Sequence, residues 1–224
     1  MFKVVEIFDS IEGEGKRAGM CASFVRLAGC NLRCSYCDTL YALEPCDFTV
    51  MTIDEICKKC TKRAVTLTGG EPLLAAGIEK LCAALLADGH FINIETNGAA
   101  DIMEFLQKLP FYDERQLFFT IDYKLPSSGF EDKMIWENFE SLTPRDVIKF
   151  VVGSREDFAR MLEVIERIKP YYEPEMPKIY IGAVFDKMPV RELAEMVIAA
   201  KLPDEAYFQL QLHKYIWDAD ARGV

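Results

Sequence analysis

The chain has 224 residues, half of them hydrophobic, enough for one domain with a sizeable core; a disordered chain and a small disulfide-stapled peptide are excluded. Lys plus Arg number 26 against 36 Asp plus Glu, a formal net charge of −10. A chain built to grip a phosphate backbone carries the opposite balance, so nucleic acid is excluded as the main partner.

The first nine residues carry charges at Lys3, Glu6 and Asp9 and lack the apolar run of a signal peptide. The longest mainly apolar stretch, 81–87, falls far short of the ~20 residues of a membrane-spanning helix. The expected setting is cytoplasmic, where clustered thiols stay reduced and more often bind metal than pair. No linker, repeat or low-complexity segment divides the sequence, so 1–224 reads as a single domain.

Short β-branched or aromatic runs predict strands at 4–8, 22–27, 64–68, 91–96, 116–121, 147–152, 178–182 and 207–211. Helical patterns lie between them. Thr52-Ile53-Asp54-Glu55 reads as a capping box opening a helix to about Cys60, and Ser154 as the cap of a helix with Phe158, Met161, Leu162, Ile165 and Ile168 on one face. Val190, Leu193, Met196, Val197 and Ala200 form a similar stripe. About six βα repeats predict an α/β fold, a partial or complete TIM-type barrel of mainly parallel strands, with its site at the C-terminal strand ends.

Among eight cysteines, Cys30, Cys34 and Cys37 stand at CxxxCxxC spacing in the loop after the second strand. Thiolates select zinc or iron-sulfur clusters, and three ligands on a four-iron cluster leave one iron open for another molecule. A zinc-ribbon binding module is the alternative, because Cys34-x2-Cys37 and Cys57-x2-Cys60 also have ribbon spacing. It leaves Cys30 unexplained and puts two ligands in a predicted helix. Cys21, Cys46 and Cys82 lack a partner at ligand spacing and read as small hydrophobes. The next strand ends in Thr68-Gly69-Gly70-Glu71-Pro72, where two glycines permit close backbone approach and a carboxylate can pair with an ammonium. The following strand ends in Glu95-Thr96-Asn97-Gly98.

CxxxCxxC after the first barrel strand, followed by GGE, resembles the radical S-adenosylmethionine (SAM) enzymes. The resemblance implies a 4Fe-4S cluster on Cys30, Cys34 and Cys37, with the open iron chelated by SAM. It also implies a 5′-deoxyadenosyl radical as the hydrogen-abstracting agent, Glu71 and the Gly70 backbone at the methionine end of SAM, and the 94–98 segment facing the adenosyl group.

Ile11-Glu12-Gly13-Glu14, Cys37-Asp38-Thr39, Asp122-Tyr123-Lys124 and the tail from Gln209 to Val224 extend the likeness over the whole chain to the 7-carboxy-7-deazaguanine synthase family. That resemblance implies a Mg²⁺-assisted ring contraction of 6-carboxy-5,6,7,8-tetrahydropterin with loss of ammonia, on the route to queuosine and other 7-deazapurines. It implies substrate contacts from Ile11, Glu12, Gly13, Arg26, Thr68, His213 and the Val224 carboxylate, so that the N-terminal strand and the C-terminal tail close the site. SAM contacts are implied for Tyr36, Cys37, Asp38, Gly70, Asp122, Tyr123 and Lys124, and a Mg²⁺ ligand at Thr39. An electron donor such as flavodoxin or ferredoxin, and a homodimer, follow from the same likeness. Glu12 stands where many members have Gln, Asp122-Tyr123 replaces the usual Ser-Pro, and Cys57 and Cys60 receive no role. A radical SAM activase acting on a partner protein uses the same cysteine loop, and in it the tail would lie away from the site.

Overall fold

In the computed structural model, residues 1–43, 45–110, 113–172 and 174–224 are described. Among these residues nine strands form one sheet: β1 (Phe2–Ile11), β2 (Cys21–Leu27), β3 (Thr49–Met51), β4 (Ala64–Gly69), β5 (Phe91–Thr96), β6 (Leu117–Tyr123), β7 (Val147–Val152), β8 (Lys178–Ala183) and β9 (Ala206–Phe208), in the order β3-β1-β2-β4-β5-β6-β7-β8-β9. Neighbours from β2 to β9 are parallel, while β1 runs antiparallel to β2 and β3. The order is linear, so the sheet is an open, partial barrel.

Helices α1 (Ile53–Lys59), α2 (Ile78–Ala87), α3 (Ile102–Lys108), α4 (Trp136–Glu140), α5 (Arg155–Ile168), α6 (Val190–Ala199) and α7 (His213–Ile216) complete the fold. The Thr52 capping box is formed: Glu55 N–H donates to the Thr52 hydroxyl at 3.2 Å, and Thr52 N–H to the Glu55 carboxylate at 2.7 Å. Ser154 caps α5 through Asp157 N–H. Of the α5 stripe, Phe158, Met161, Ile165 and Ile168 are buried and Leu162 only partly, whereas α6 buries only Leu193 fully. No helix among the described residues is long and apolar enough to cross a membrane.

Period-two alternation places the site. Val25, Leu27, Leu67, Ile94, Ile121 and Phe150 point to the helix-covered core. The intervening Arg26, Thr68, Glu95, Thr120, Asp122 and Lys149 point into the concave side and line a cavity. Parallel register keeps these polar residues level, pairing Arg26 with Thr68, Glu95 with Thr120 and Asp122 with Lys149.

The observed elements depart from expectation at several ends. β1 runs past 4–8 because it pairs with both β2 and β3, and three-residue β3 is too short to carry a periodic signal. β6 begins at Leu117, after a 3₁₀ turn whose start is capped by Asp113. β9 stops at Phe208; beyond it Gln209 turns to the opposite end of the sheet, where its Oε1 accepts from Gly15 N–H at 2.7 Å. Leu212 N–H then donates to Gly13 O at 3.0 Å. These contacts join the strand of one end to the tail of the other.

Candidate active site

Two adjoining cavities, of about 450 and 340 Å³, open at the C-terminal strand ends and share Arg26, Cys37, Asp38, Thr39, Lys214 and Asp220. The cysteine loop forms one wall of the larger. Its start is stitched to the glycine turn: Gly70 N–H donates to Leu27 O at 3.0 Å and Glu71 N–H to Gly29 O at 2.8 Å. A Cβ on Gly70 would collide with the Gly29 carbonyl, and Gly69, at φ +137°, has the Leu27 backbone against it. Both positions require glycine. The middle of the loop is tied to the segment after β6, with Ser35 Oγ donating to Ser127 O at 2.6 Å and Ser35 N–H to Ser128 O at 3.1 Å.

Cys30, Cys34 and Cys37, all free thiols, line this larger cavity together. Burial pushes the Cys34 and Cys37 thiols up, and the Lys124 ammonium works against that shift at both. A bound metal deprotonates such thiols outright. Cys57 on α1 and Cys60 at its C-cap pack on the hydrophobic core and line neither cavity. The ribbon spacing therefore does not correspond to a four-thiol cluster in space, and among the described residues no His, Cys, Asp or Glu trio is gathered as a preformed metal site.

Next to the thiols, the Tyr36 hydroxyl and Asp122 Oδ1 are buried with no hydrogen-bond partner among the described residues. Burial drives the Tyr36 phenol strongly up, so it stays a neutral donor. Lys124 Nζ donates to the other Asp122 oxygen at 2.8 Å; burial opposes its charge, but Asp122 and Cys34 hold the ammonium above the usual lysine range. Three thiols, a phenol and a carboxylate oxygen with no partner among the described residues, and the Gly70 backbone on the same cavity wall fit an iron-sulfur cluster carrying a polar, zwitterionic ligand.

Not every residue implied by the resemblance reaches this space. Glu71 lies behind Gly70, outside both cavity walls. Its Oε1 accepts from Leu73 N–H and the Thr96 hydroxyl, each at 3.0 Å, and its Oε2 from Asn97 N–H at 2.7 Å. Tyr123 points to the opposite face of β6, among Trp136, Phe139 and Phe150, and its hydroxyl donates to Glu131 at 2.9 Å. Its side chain is core because Asp122, one residue earlier, takes the cavity side. Glu12 turns to the barrel floor, where it accepts from Thr66 Oγ1 and pairs with Arg17 at 3.3 Å. Burial pushes Glu12 up to about 7, as does nearby Glu95, against the pull of Arg17. Ile11 and Gly13 line neither cavity, although a Cβ on Gly13 would run into the His213 ring.

The smaller cavity collects Arg26, Thr39, His213 and Val224. Arg26 Nε donates to Glu6 at 2.7 Å, and its guanidinium lies 5.7 Å from the Tyr41 ring centroid. The Thr39 hydroxyl donates to Asp38 at 2.8 Å. Thr68 donates to Glu95 at 2.9 Å inside the larger cavity. Residues absent from the sequence reading of the site include Glu14, Lys149, Lys187 and Lys214. Lys149 carried a signal: a charge in the middle of Val-Ile-Lys-Phe-Val-Val, a run otherwise fit for burial on both faces.

The radical SAM superfamily model matches residues 25–198, and the cysteine wall and glycine turn fall inside that span. The chain belongs to the radical SAM superfamily and, within it, to the family of the 7-carboxy-7-deazaguanine synthases. The relative of that name from Clostridium acetobutylicum is 41% identical, over 100% of this chain and 99% of its own length. The one from Chlorobaculum tepidum is 39% identical over 99% and 96%. In fold, the crystal structure of QueE from Escherichia coli matches with a TM-score of 0.71 at 22% identity, over 95% of this chain and 94% of that one. Streptococcus suis SuiB bound to S-adenosylmethionine matches with 0.53 at 14% identity, over 81% and 44%.

Proposed function

We propose that this chain converts 6-carboxy-5,6,7,8-tetrahydropterin into 7-carboxy-7-deazaguanine and ammonia. The observation that carries the reading is the junction of the two cavities at Cys37, Asp38 and Thr39, with three thiols on one side and Arg26, His213 and Val224 on the other. Full-length likeness to proteins named for this activity supports it. When bound, the cluster and SAM supply the hydrogen-abstracting radical. Product plus ammonia equals substrate in atoms, so the conversion needs no net oxidant.

The residues divide the remaining work. Cys30, Cys34 and Cys37 hold the cluster; Tyr36, Asp38, Gly70, Asp122 and Lys124 contact SAM. Arg26, fixed by Glu6 and Tyr41, presents a cation to the substrate carboxylate. Glu14 and Glu95 offer acceptors to the guanidine-like edge of the pterin, and Thr68 and His213 fix its remaining polar atoms. Thr39 supplies one oxygen to Mg²⁺, an ion that keeps several waters and takes few protein ligands. The N-terminal segment and the tail, joined through Leu212 and Gly13, close one domain around the site. Lys214, Asp220 and Arg222 on a cavity wall are not what an activase with a withdrawn tail requires. We also propose a cytoplasmic homodimer reduced by a flavodoxin or ferredoxin, as the family likeness implies.

Anaerobic reconstitution with iron and sulfide, then addition of SAM, reductant and the carboxypterin, tests the reading. Equimolar deazapurine and ammonia are expected. Chelation followed by Mg²⁺ addition should lower and restore the rate, and an unchanged rate would remove Thr39 from the assignment. Deleting residues 222–224 should impair turnover more than iron content.

A further inference from the structure

Asn97 follows β5, and its amide has one possible orientation. Its Oδ1 accepts from Ala99 N–H at 2.9 Å, which turns the amide nitrogen the other way. There Nδ2 donates to Asn31 Oδ1 at 2.8 Å and to Cys30 Sγ at 3.5 Å. Asn31 is oriented by the same logic: its own Nδ2 donates to Ala99 O at 2.9 Å, leaving Oδ1 toward Asn97. Leu32 N–H adds a second donor to Cys30 Sγ at 3.4 Å. Behind Asn97, the Glu71 carboxylate holds its backbone N–H at 2.7 Å and the neighbouring Thr96 hydroxyl at 3.0 Å.

We propose that Asn97 is a positioning residue for the cluster, fixing the Cys30 thiolate through an N–H···S hydrogen bond that raises the cluster's reduction potential, and that Glu71 acts through Asn97 by holding it in place. The inference rests on the reading of Cys30 as a cluster ligand. Reduction adds negative charge to a cluster whose ligands are already anions. A donor on a ligating sulfur therefore stabilises the reduced form more than the oxidised form, as outer hydrogen bonds do at metal centres generally. This gives Glu71 a task consistent with its location outside both cavity walls.

The test is an EPR-monitored redox titration of the reconstituted protein without SAM, so that contacts to SAM do not enter. Asn97→Ala should hold parental iron and sulfide. At the parent's midpoint its ratio of reduced to oxidised cluster should fall about tenfold, a shift of about 59 mV to more negative potential for one electron. Asn97→Asp keeps the acceptor for Ala99 but replaces the donor with an anion, and should shift the potential further the same way. Glu71→Gln places an amide among three N–H or O–H donors and should shift it in that direction by less. Coincident potentials in parent and variants would overturn the inference while leaving the cluster reading intact; a parent that assembles no cluster would overturn both. Pulsed EPR on protein labelled with ¹⁵N-asparagine adds a readout that does not depend on the potential. Asn31 adjoins Cys30, so a nitrogen coupling present in the parent and lost in Asn97→Ala supports the contact, and a coupling absent from the parent or unchanged in the variant overturns it.

Discussion

Lys149 Nζ lies 2.7 Å from Glu14 Oε2, joining the middle of β7 to the loop after β1. Both side chains are largely buried and line the larger cavity. Glu14 Oε1 is also met by Gln209 Nε2 at 3.3 Å, so the pair fixes the place where both ends of the sheet converge. Removing one partner of such a pair strands the other charge. Lys149→Met should cost about 3 kcal/mol in urea unfolding and should raise the KM for the pterin more than it lowers iron content.

Burial raises Glu12 from 4.5 to about 7. A carboxyl whose folded pKa exceeds its unfolded value binds more protons folded than unfolded between those two values. Its contribution to stability is therefore complete below pH 4.5 and falls as pH rises to about 7. Glu71, pushed up to about 7 chiefly by burial, adds to the same trend. In Glu12→Gln the loss of stability between pH 5 and 7 should be shallower than in the parent by up to about 1.4 kcal/mol per pH unit. Urea unfolding at several pH values measures the two slopes, and the constant loss at Arg17 cancels in the comparison.

Tyr123 separates a core role from a cofactor role. Tyr123→Phe removes its bond to Glu131 but keeps the ring among Trp136, Phe139 and Phe150. It should cost about 1 kcal/mol and leave SAM affinity unchanged by isothermal titration. Tyr123→Ala should cost about 3–5 kcal/mol through the cavity it leaves.

Single serine substitutions of Cys30, Cys34 and Cys37 should each lose the brown colour and the iron on reconstitution, while far-UV circular dichroism stays parental. Cys57→Ser should retain the iron. Loss of iron from Cys57→Ser would restore the four-thiol alternative.

Much of this was legible in the chain because its signals are local. The strands with Val, Ile and Phe runs, the Thr52 and Ser154 caps and the α5 stripe depend on near neighbours, and all are formed. The cysteine loop and glycine turn are equally compact motifs. Glu71 was not legible, because its partners Thr96 and Asn97 lie 25 and 26 residues away and only the packing of β4 beside β5 brings them near. Tyr123 depends on one residue of strand register, which decides whether it or Asp122 faces the cavity. Glu12 is directed by Arg17, a contact made by the turn after β1 rather than by any motif.

The most direct test is the fate of the carboxypterin in the reconstituted protein with SAM and reductant. The account predicts deazapurine and ammonia in equal amounts, both lost in Cys34→Ser. Cleavage of SAM to methionine and 5′-deoxyadenosine with the carboxypterin recovered intact would contradict it.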